Sequence, residues 1–205
     1  MKKNIKWIIC ILSLVMFLLL AYFIKVNDNL IIDEKIYNFI SKFISDNTTT
    51  VIKFITFLGS ATVVIGITVI CLLFIKNKKI GLFMSIDLIT ITIFQYILKA
   101  IFKRSRPVGI NLIEETSYSF PSGHSLTAMA FYGFIIYLLY KSNLKYKKIC
   151  IIVLSILILL IGLSRVYLGV HYITDVLGGF TFSLFYLVIF INIIKKFCID
   201  RESNK

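Results

Sequence analysis

The chain has 205 residues, 59% of them hydrophobic and only 16% charged, with a mean hydropathy of +0.91. A water-soluble fold of this size cannot hide that much apolar surface, and disordered chains are poor in apolar residues, so both classes are excluded and a polytopic helical membrane protein remains. Lys and Arg number 23 against 10 Asp and Glu, a net charge of +13; in a membrane protein this excess collects on cytoplasmic loops, so it is not read as a nucleic-acid footprint.

A crossing helix needs about 20 mostly apolar residues. Six segments qualify: Trp7–Ile24, Val51–Ile75, Ile80–Phe102, Ser122–Tyr140, Ile149–Tyr167 and Tyr172–Phe197. In lipid only helices and closed barrels satisfy the backbone, and these runs are too long and too uniformly apolar for barrel strands. The expected fold is therefore all-α, six transmembrane helices in one bundle, as a single domain over residues 1–205. The first span follows Met-Lys-Lys-Asn-Ile-Lys, like the start of a secretory signal. No small-x-small cleavage site follows Ala21-Tyr22-Phe23, so it is read as a retained span. Next, residues 30–45 carry Ile36, Phe39, Ile40 and Phe43 on one helical stripe, with Lys35, Asn38 and Lys42 opposite. That pattern predicts a short interfacial amphipathic helix. Asp87, inside the third span, is read as a structural hydrogen-bonding site facing a Ser, Thr, Tyr or snorkelling lysine, with a helix-packing or lipid-access role as the alternative.

Charge sets the orientation. With a cytoplasmic N-terminus, the inner segments hold Lys2, Lys3, Lys6, Lys76, Lys78, Lys79, Lys141, Lys145, Lys147, Lys148, Lys195, Lys196, Arg201 and Lys205, which is 14 basic residues against Asp200 and Glu202. The outer segments hold the other nine basic residues and seven acids. Both termini are expected inside. Cys10, Cys71, Cys150 and Cys198 fall near inner span ends, where no extracytoplasmic disulfide forms, and are read as packing residues.

Three polar clusters interrupt this apolar background. The first ends span three, Lys99-Ala-Ile-Phe-Lys-Arg-Ser-Arg106-Pro107; the second opens span four, Pro121-Ser122-Gly123-His124; the third joins spans five and six, from Ser164-Arg165 to His171 and Asp175. Odd spans run outward and even spans begin outside, so all three meet at the outer membrane face. Lys99, Arg106 and Arg165 supply a cationic pocket, the arginines with a planar fork that matches phosphate oxygens. Ser122 and Gly123 open a helix, where free N–H groups and the positive dipole end favour an anion. His171 and Asp175 are four apart and share a helical face, so the carboxylate fixes the tautomer and leaves the other ring nitrogen to attack phosphorus. His124 then serves as general acid toward the leaving oxygen and as base toward water. No carboxylate cluster for magnesium accompanies them, so neither a metal nor any other cofactor is expected. Lys103 and Arg104 are read most simply as solvated or headgroup-contacting side chains, and Glu114 and Glu115 as exposed loop charges.

These three motifs, KxxxxxxRP, PSGH and SRxxxxxHxxxD, resemble those of the type 2 phosphatidic acid phosphatase family, which includes vanadium haloperoxidases and glucose-6-phosphatase. Lys99 to Pro107, Pro121 to His124 and Ser164 to Asp175 match without departure, within a core of about 99–175. The resemblance implies a metal-independent phosphatase. It makes His171 the nucleophile, Asp175 its orienting partner and His124 the acid/base, with Lys99, Arg106, Ser122, Gly123 and Arg165 binding phosphate. It also implies the cytoplasmic membrane of a bacterium, with the site at the outer face.

A site at headgroup level between apolar helices suits a lipid phosphate whose tail stays in the bilayer. Candidates are phosphatidylglycerophosphate, undecaprenyl diphosphate, phosphatidate and diacylglycerol pyrophosphate. Gly123 stands where bacitracin-resistance-type undecaprenyl diphosphatases often have Asp, and it favours the phosphatidylglycerophosphatase B-like branch. Two other classes stay open: a lipid phosphotransferase using the same histidine, and a non-catalytic lipid-binding or transport protein.

Overall fold

A computed structural model of the protein describes residues 3–27, 30–109 and 111–199. Lys2, Asp200, Arg201, Glu202 and Lys205 of the charge count lie outside the described residues, as do the side chains of Lys3, Lys196 and Cys198. Among the described residues there are eight α-helices and no strand. They are α1 (Lys3–Val26), α2 (Ile31–Ile40), α3 (Asp46–Leu58), α4 (Ala61–Phe74), α5 (Lys78–Phe102), α6 (Gly123–Lys141), α7 (Lys147–Tyr167) and α8 (Ile173–Ile199).

Five of these are long and apolar enough to cross a membrane, and α3 with α4, bent by 45° at their break, pass the same test as a pair. With that pair counted as one span the number matches the six expected, but the second is not the continuous helix expected over Val51–Ile75. It breaks at Gly59-Ser60 for a local reason. A Cβ on Gly59 would lie 2.6 Å from the Ile161 side chain and 3.4 Å from the His124 ring, so the chain bends where its backbone presses on α7 and α6. Ser60 then starts α4 as its N-cap, accepting from the Val63 N–H at 3.4 Å. Tyr132 of α6 donates to the Leu58 carbonyl at 2.6 Å, satisfying a group the break sets free.

Around α8 the bundle assembles: α8 packs along α1 and α6, α6 on α5 and α7, α3 on α7 and α4 on α5. Small residues allow the closest crossing, as bilayer packing requires. The α-carbon of Gly179 sits so near α6 that a Cβ there would lie 2.9 Å from the Ser122 carbonyl. Phe120, Leu126, Phe131, Phe134 and Ile161 fill the centre. Outward, Ile8, Ile11, Leu12, Val15, Ile152 and Leu159 are exposed, a face suited to lipid tails.

Helix α2, followed by a 3₁₀ turn over Ser41–Phe43, is the short helix expected near residues 30–45. Its apolar stripe is split. Ile36 and Ile40 pack on Val166, Ile173 and Val176 at the ends of α7 and α8, while Phe39 and Phe43 stay exposed as an edge-to-face pair 5.4 Å apart. Asp33 lies on the docked side and is buried. Asp87 of α5 is also fully buried, with the Tyr186 hydroxyl of α8 donating to its backbone carbonyl at 3.4 Å.

Candidate active site

Lys99, His124, Arg165 and Asp175 all sit in the terminal turns of their helices, and those turns meet at one end of the bundle. Between them lies a cavity of about 540 Å³. Lys99, Arg106, Gly123, His124 and His171 line it together, so both histidines of the chain share one chamber. The cavity continues between α4 and α5 past Val64, Ile65, Leu88, Ile89 and Ile93. Ile65, Ile89 and Ile93 are also exposed on the outer surface, so this end reaches the apolar flank of the protein.

Hydrogen bonding fixes the state of His171. An Arg106 Nη1 lies 3.2 Å from its Nε2. Arginine only donates, so Nε2 is the accepting, unprotonated nitrogen. Nδ1 then carries the proton and faces Asp175 Oδ2 at 3.4 Å and Ser119 Oγ at 3.3 Å. Burial pushes the His171 imidazole down to about 4, overcoming the opposing pull of Asp175, and the nearby Arg106 and Arg165 charges push the same way. The ring is neutral at neutral pH, with a lone pair beside the cations of the cavity.

The cations are held in place. Arg106 donates Nε to the Ser117 carbonyl at 2.6 Å, Nη1 to the Val170 carbonyl at 2.7 Å and Nη2 to Ser117 Oγ at 3.0 Å. Lys99 donates to the Tyr118 carbonyl, and to Ser117 Oγ at 3.3 Å. Arg165 is buried behind the cavity wall, donating to Thr56 Oγ1 at 2.9 Å and to Glu115 Oε1 at 2.5 Å. Glu115 also lies 3.6 Å from Arg106. It is therefore the counterion of the pocket, not the free loop charge that sequence suggested; Glu114 is exposed as expected.

Three predicted site residues stand behind the cavity lining: Arg165, Ser122 and Asp175. Ser122 caps α6, its Oγ accepting from Ser125 Oγ at 3.0 Å. Its own N–H is spent on the Asp175 carbonyl at 3.0 Å, so the N–H groups left for an anion are those of Gly123 and His124. The His124 ring, at the start of α6, has no hydrogen-bond partner among the described residues.

Sequence reasoning missed a buried set of partners. Arg104, expected in solvent, is 2% exposed and bridges Asp33 Oδ2 at 2.8 Å and Asp175 Oδ1 at 2.7 Å. Ser119 donates to Asp175 Oδ2 at 2.5 Å, and the Tyr172 N–H donates to the same oxygen at 2.9 Å. One signal was available. Asp33 precedes Ile36 and Ile40 by three and seven residues, which puts it on the stripe that docks.

The PAP2 superfamily matches residues 80–198. The phosphatidylglycerophosphatase B of Bacillus subtilis (strain 168) is 40% identical over 142 residues, covering 65% of this chain and 70% of that protein. An undecaprenyl-diphosphatase of Sulfolobus acidocaldarius is 29% identical over 188 residues, covering 87% of this chain and 86% of that protein. The crystal structure of a transmembrane PAP2-type phosphatidylglycerolphosphate phosphatase from Bacillus subtilis superposes with a TM-score of 0.84 at 34% identity, covering 91% of this chain and 96% of that one. Aquifex aeolicus LpxE shares the fold, with a TM-score of 0.66 at 22% identity over 81% of this chain and 98% of that one.

Proposed function

This chain belongs to the PAP2 superfamily and is a phosphoric-ester hydrolase of the membrane, and on that premise we propose that it removes the terminal phosphate of a membrane lipid through a phosphohistidine at His171. The observation that carries the reading is the shared chamber: a neutral His171 with its Nε2 lone pair beside Arg106, facing a second histidine and Lys99.

In the first step the Nε2 lone pair attacks phosphorus. The N–P bond forms, the bond to the lipid oxygen breaks, and His124 gives that oxygen a proton. The imidazole becomes cationic as it loses its lone pair, and Asp175 offsets the charge through Nδ1–H. Lys99, Arg106 and Arg165 stabilise charge on the equatorial oxygens, with the Gly123 and His124 N–H groups at the α6 start. In the second step His124 takes a proton from water, whose oxygen attacks phosphorus; the N–P bond breaks and phosphate leaves. The sum is lipid phosphate plus water giving lipid alcohol plus phosphate. No step is assigned to a metal.

The apolar arm of the cavity between α4 and α5 suits the tail of an amphiphile. A phosphatidylglycerophosphate-like monoester is the favoured substrate, supported by the 40% identical Bacillus subtilis relative and by Gly123 in the second motif. Undecaprenyl diphosphate is the second reading, supported by the relative that covers 87% of the chain. The lysine-rich segments argue for cytoplasmic termini and a site at the outer face of a bacterial cytoplasmic membrane.

The test is phosphate release by purified protein from phosphatidylglycerophosphate, undecaprenyl diphosphate, phosphatidate and diacylglycerol pyrophosphate, with chelator present. Release from the first at the highest kcat/KM supports the reading. Dependence on added magnesium, or full activity in His171→Ala, overturns the mechanism.

A further inference from the structure

Behind His171 the buried charges form a chain that reaches the short helix at the membrane surface. We propose that Asp33 of α2 is a positioning residue for the reaction, acting through Arg104 to keep Asp175 available to His171. The proposal rests on the reading of His171 and Asp175 given above.

Arg104 joins the two carboxylates, one on each terminal nitrogen, at 2.8 Å to Asp33 and 2.7 Å to Asp175. Its guanidinium carbon also lies 4.1 Å from the centre of the Tyr172 ring, next to His171. Asp33 is held in turn by the start of α8. It accepts from the Thr174 N–H at 3.0 Å and from Thr174 Oγ1 at 2.8 Å. A single ion pair between Arg104 and Asp175 would spend the charge that the imidazole needs. With Asp33 as a second counterion, the buried triad of one arginine and two aspartates has a net charge of −1. That charge matches the positive charge that His171 gains as the N–P bond forms. The division of labour shows in the oxygens: Asp175 Oδ1 takes Arg104, while Oδ2 takes Ser119, the Tyr172 N–H and the His171 ring.

Ordinary structural glue would predict the same contacts, so the test separates the two. Other charged or titratable groups near His171 are Arg106 and Glu115 from the loop between α5 and α6, Arg165 from α7, His124 from α6, Lys99 from α5, Tyr172 beside it, and Glu34 and Tyr37 of α2, which line a second cavity with His171. None of them is altered in the variants. Asp33→Asn should lower kcat about 10- to 100-fold, by analogy with the loss of outer partners that orient metal-bound histidines, with KM changed less than about twofold. The acid limb of its kcat/KM profile should move to lower pH, because Arg104 is then left to oppose protonation of His171. Asp33→Asn combined with Arg104→Gln removes the arginine left without Asp33, while Asp175 keeps Ser119, the Tyr172 N–H and the His171 ring but loses its ion pair, so thermal stability should recover only in part. Its kcat should stay low even though the buried charge is again −1, because Asp175 Oδ1 has lost the guanidinium that orients the carboxylate. Recovery of kcat together with stability, or a wild-type kcat in Asp33→Asn, overturns the proposal. His171→Ala in the same assay separates the two levels: phosphate release surviving there would remove the reading of the site itself.

Discussion

Replacing Glu115 with Gln is expected to tighten the hold of the pocket on phosphate. The carboxylate sits 2.5 Å from Arg165 and 3.6 Å from Arg106, two of the three cations proposed to hold the phosphoryl group. Arg165 is 1% exposed and Glu115 is 28% exposed, so the carboxylate lies between the buried guanidinium and the cavity. Any phosphate that engages Arg165 must displace it. A hydrogen bond to a charged group contributes about 1.5–3 kcal/mol net, and a neutral acceptor retains roughly half of that. The resident competitor is thus weakened by about 0.75–1.5 kcal/mol, or about 4- to 12-fold in affinity for an incoming anion. The assay is inhibition of phosphate release by inorganic phosphate, with thermal unfolding followed in parallel. The variant should be less stable alone, because Arg165 loses its counterion, and should gain more stability from added phosphate than the parent does. Inhibition that is unchanged or weaker would refute the argument. Glu115 would then be orienting Arg165, not competing for it.

His171→Ala should abolish phosphate release while Lys103→Ala keeps most of it, because Lys103 is exposed and contributes nothing to the cavity lining; equal losses would discredit the role assignment. With His171 held down to about 4, kcat/KM should fall as pH drops through that value, read from a rate profile between pH 3 and 8. Between about 4 and the ordinary value of 6.5 the unfolded chain takes up a proton at this residue that the folded chain refuses, so stability should fall on acidification across that window, measured by thermal unfolding. Gly59→Val should destabilise by about 1–3 kcal/mol through collision with Ile161, seen as a lowered unfolding midpoint in detergent.

The candidate reacting groups were legible because their spacing is local, but the reason differs from the one expected: His171 precedes α8, which starts at Ile173, so its ring meets Asp175 across the helix start and not along a helical face, while Ser122 caps the helix that carries His124. Hydropathy likewise marked the five long spanning helices and the α3–α4 pair. It could not mark the bend at Gly59-Ser60, because apolar content continues through it; only the glycine and the capping serine record it. Arg104 and Glu115 were misjudged for one shared reason. A charged side chain in a loop is solvated unless something pairs with it, and their partners lie 71 and 50 residues away in sequence. Asp33 was readable in principle, since it shares a stripe with Ile36 and Ile40, but the stripe was defined by its apolar members alone.

On the proposed reading, the arm of the cavity that reaches the bundle flank at Ile65, Ile89 and Ile93 also sets how a substrate arrives. A tailed molecule arriving there comes by two-dimensional diffusion among its neighbours and never crosses water. Velocity in mixed micelles should therefore track the mole fraction of substrate in the detergent, and diluting the surface with inert amphiphile should slow turnover even when the amount per litre is constant.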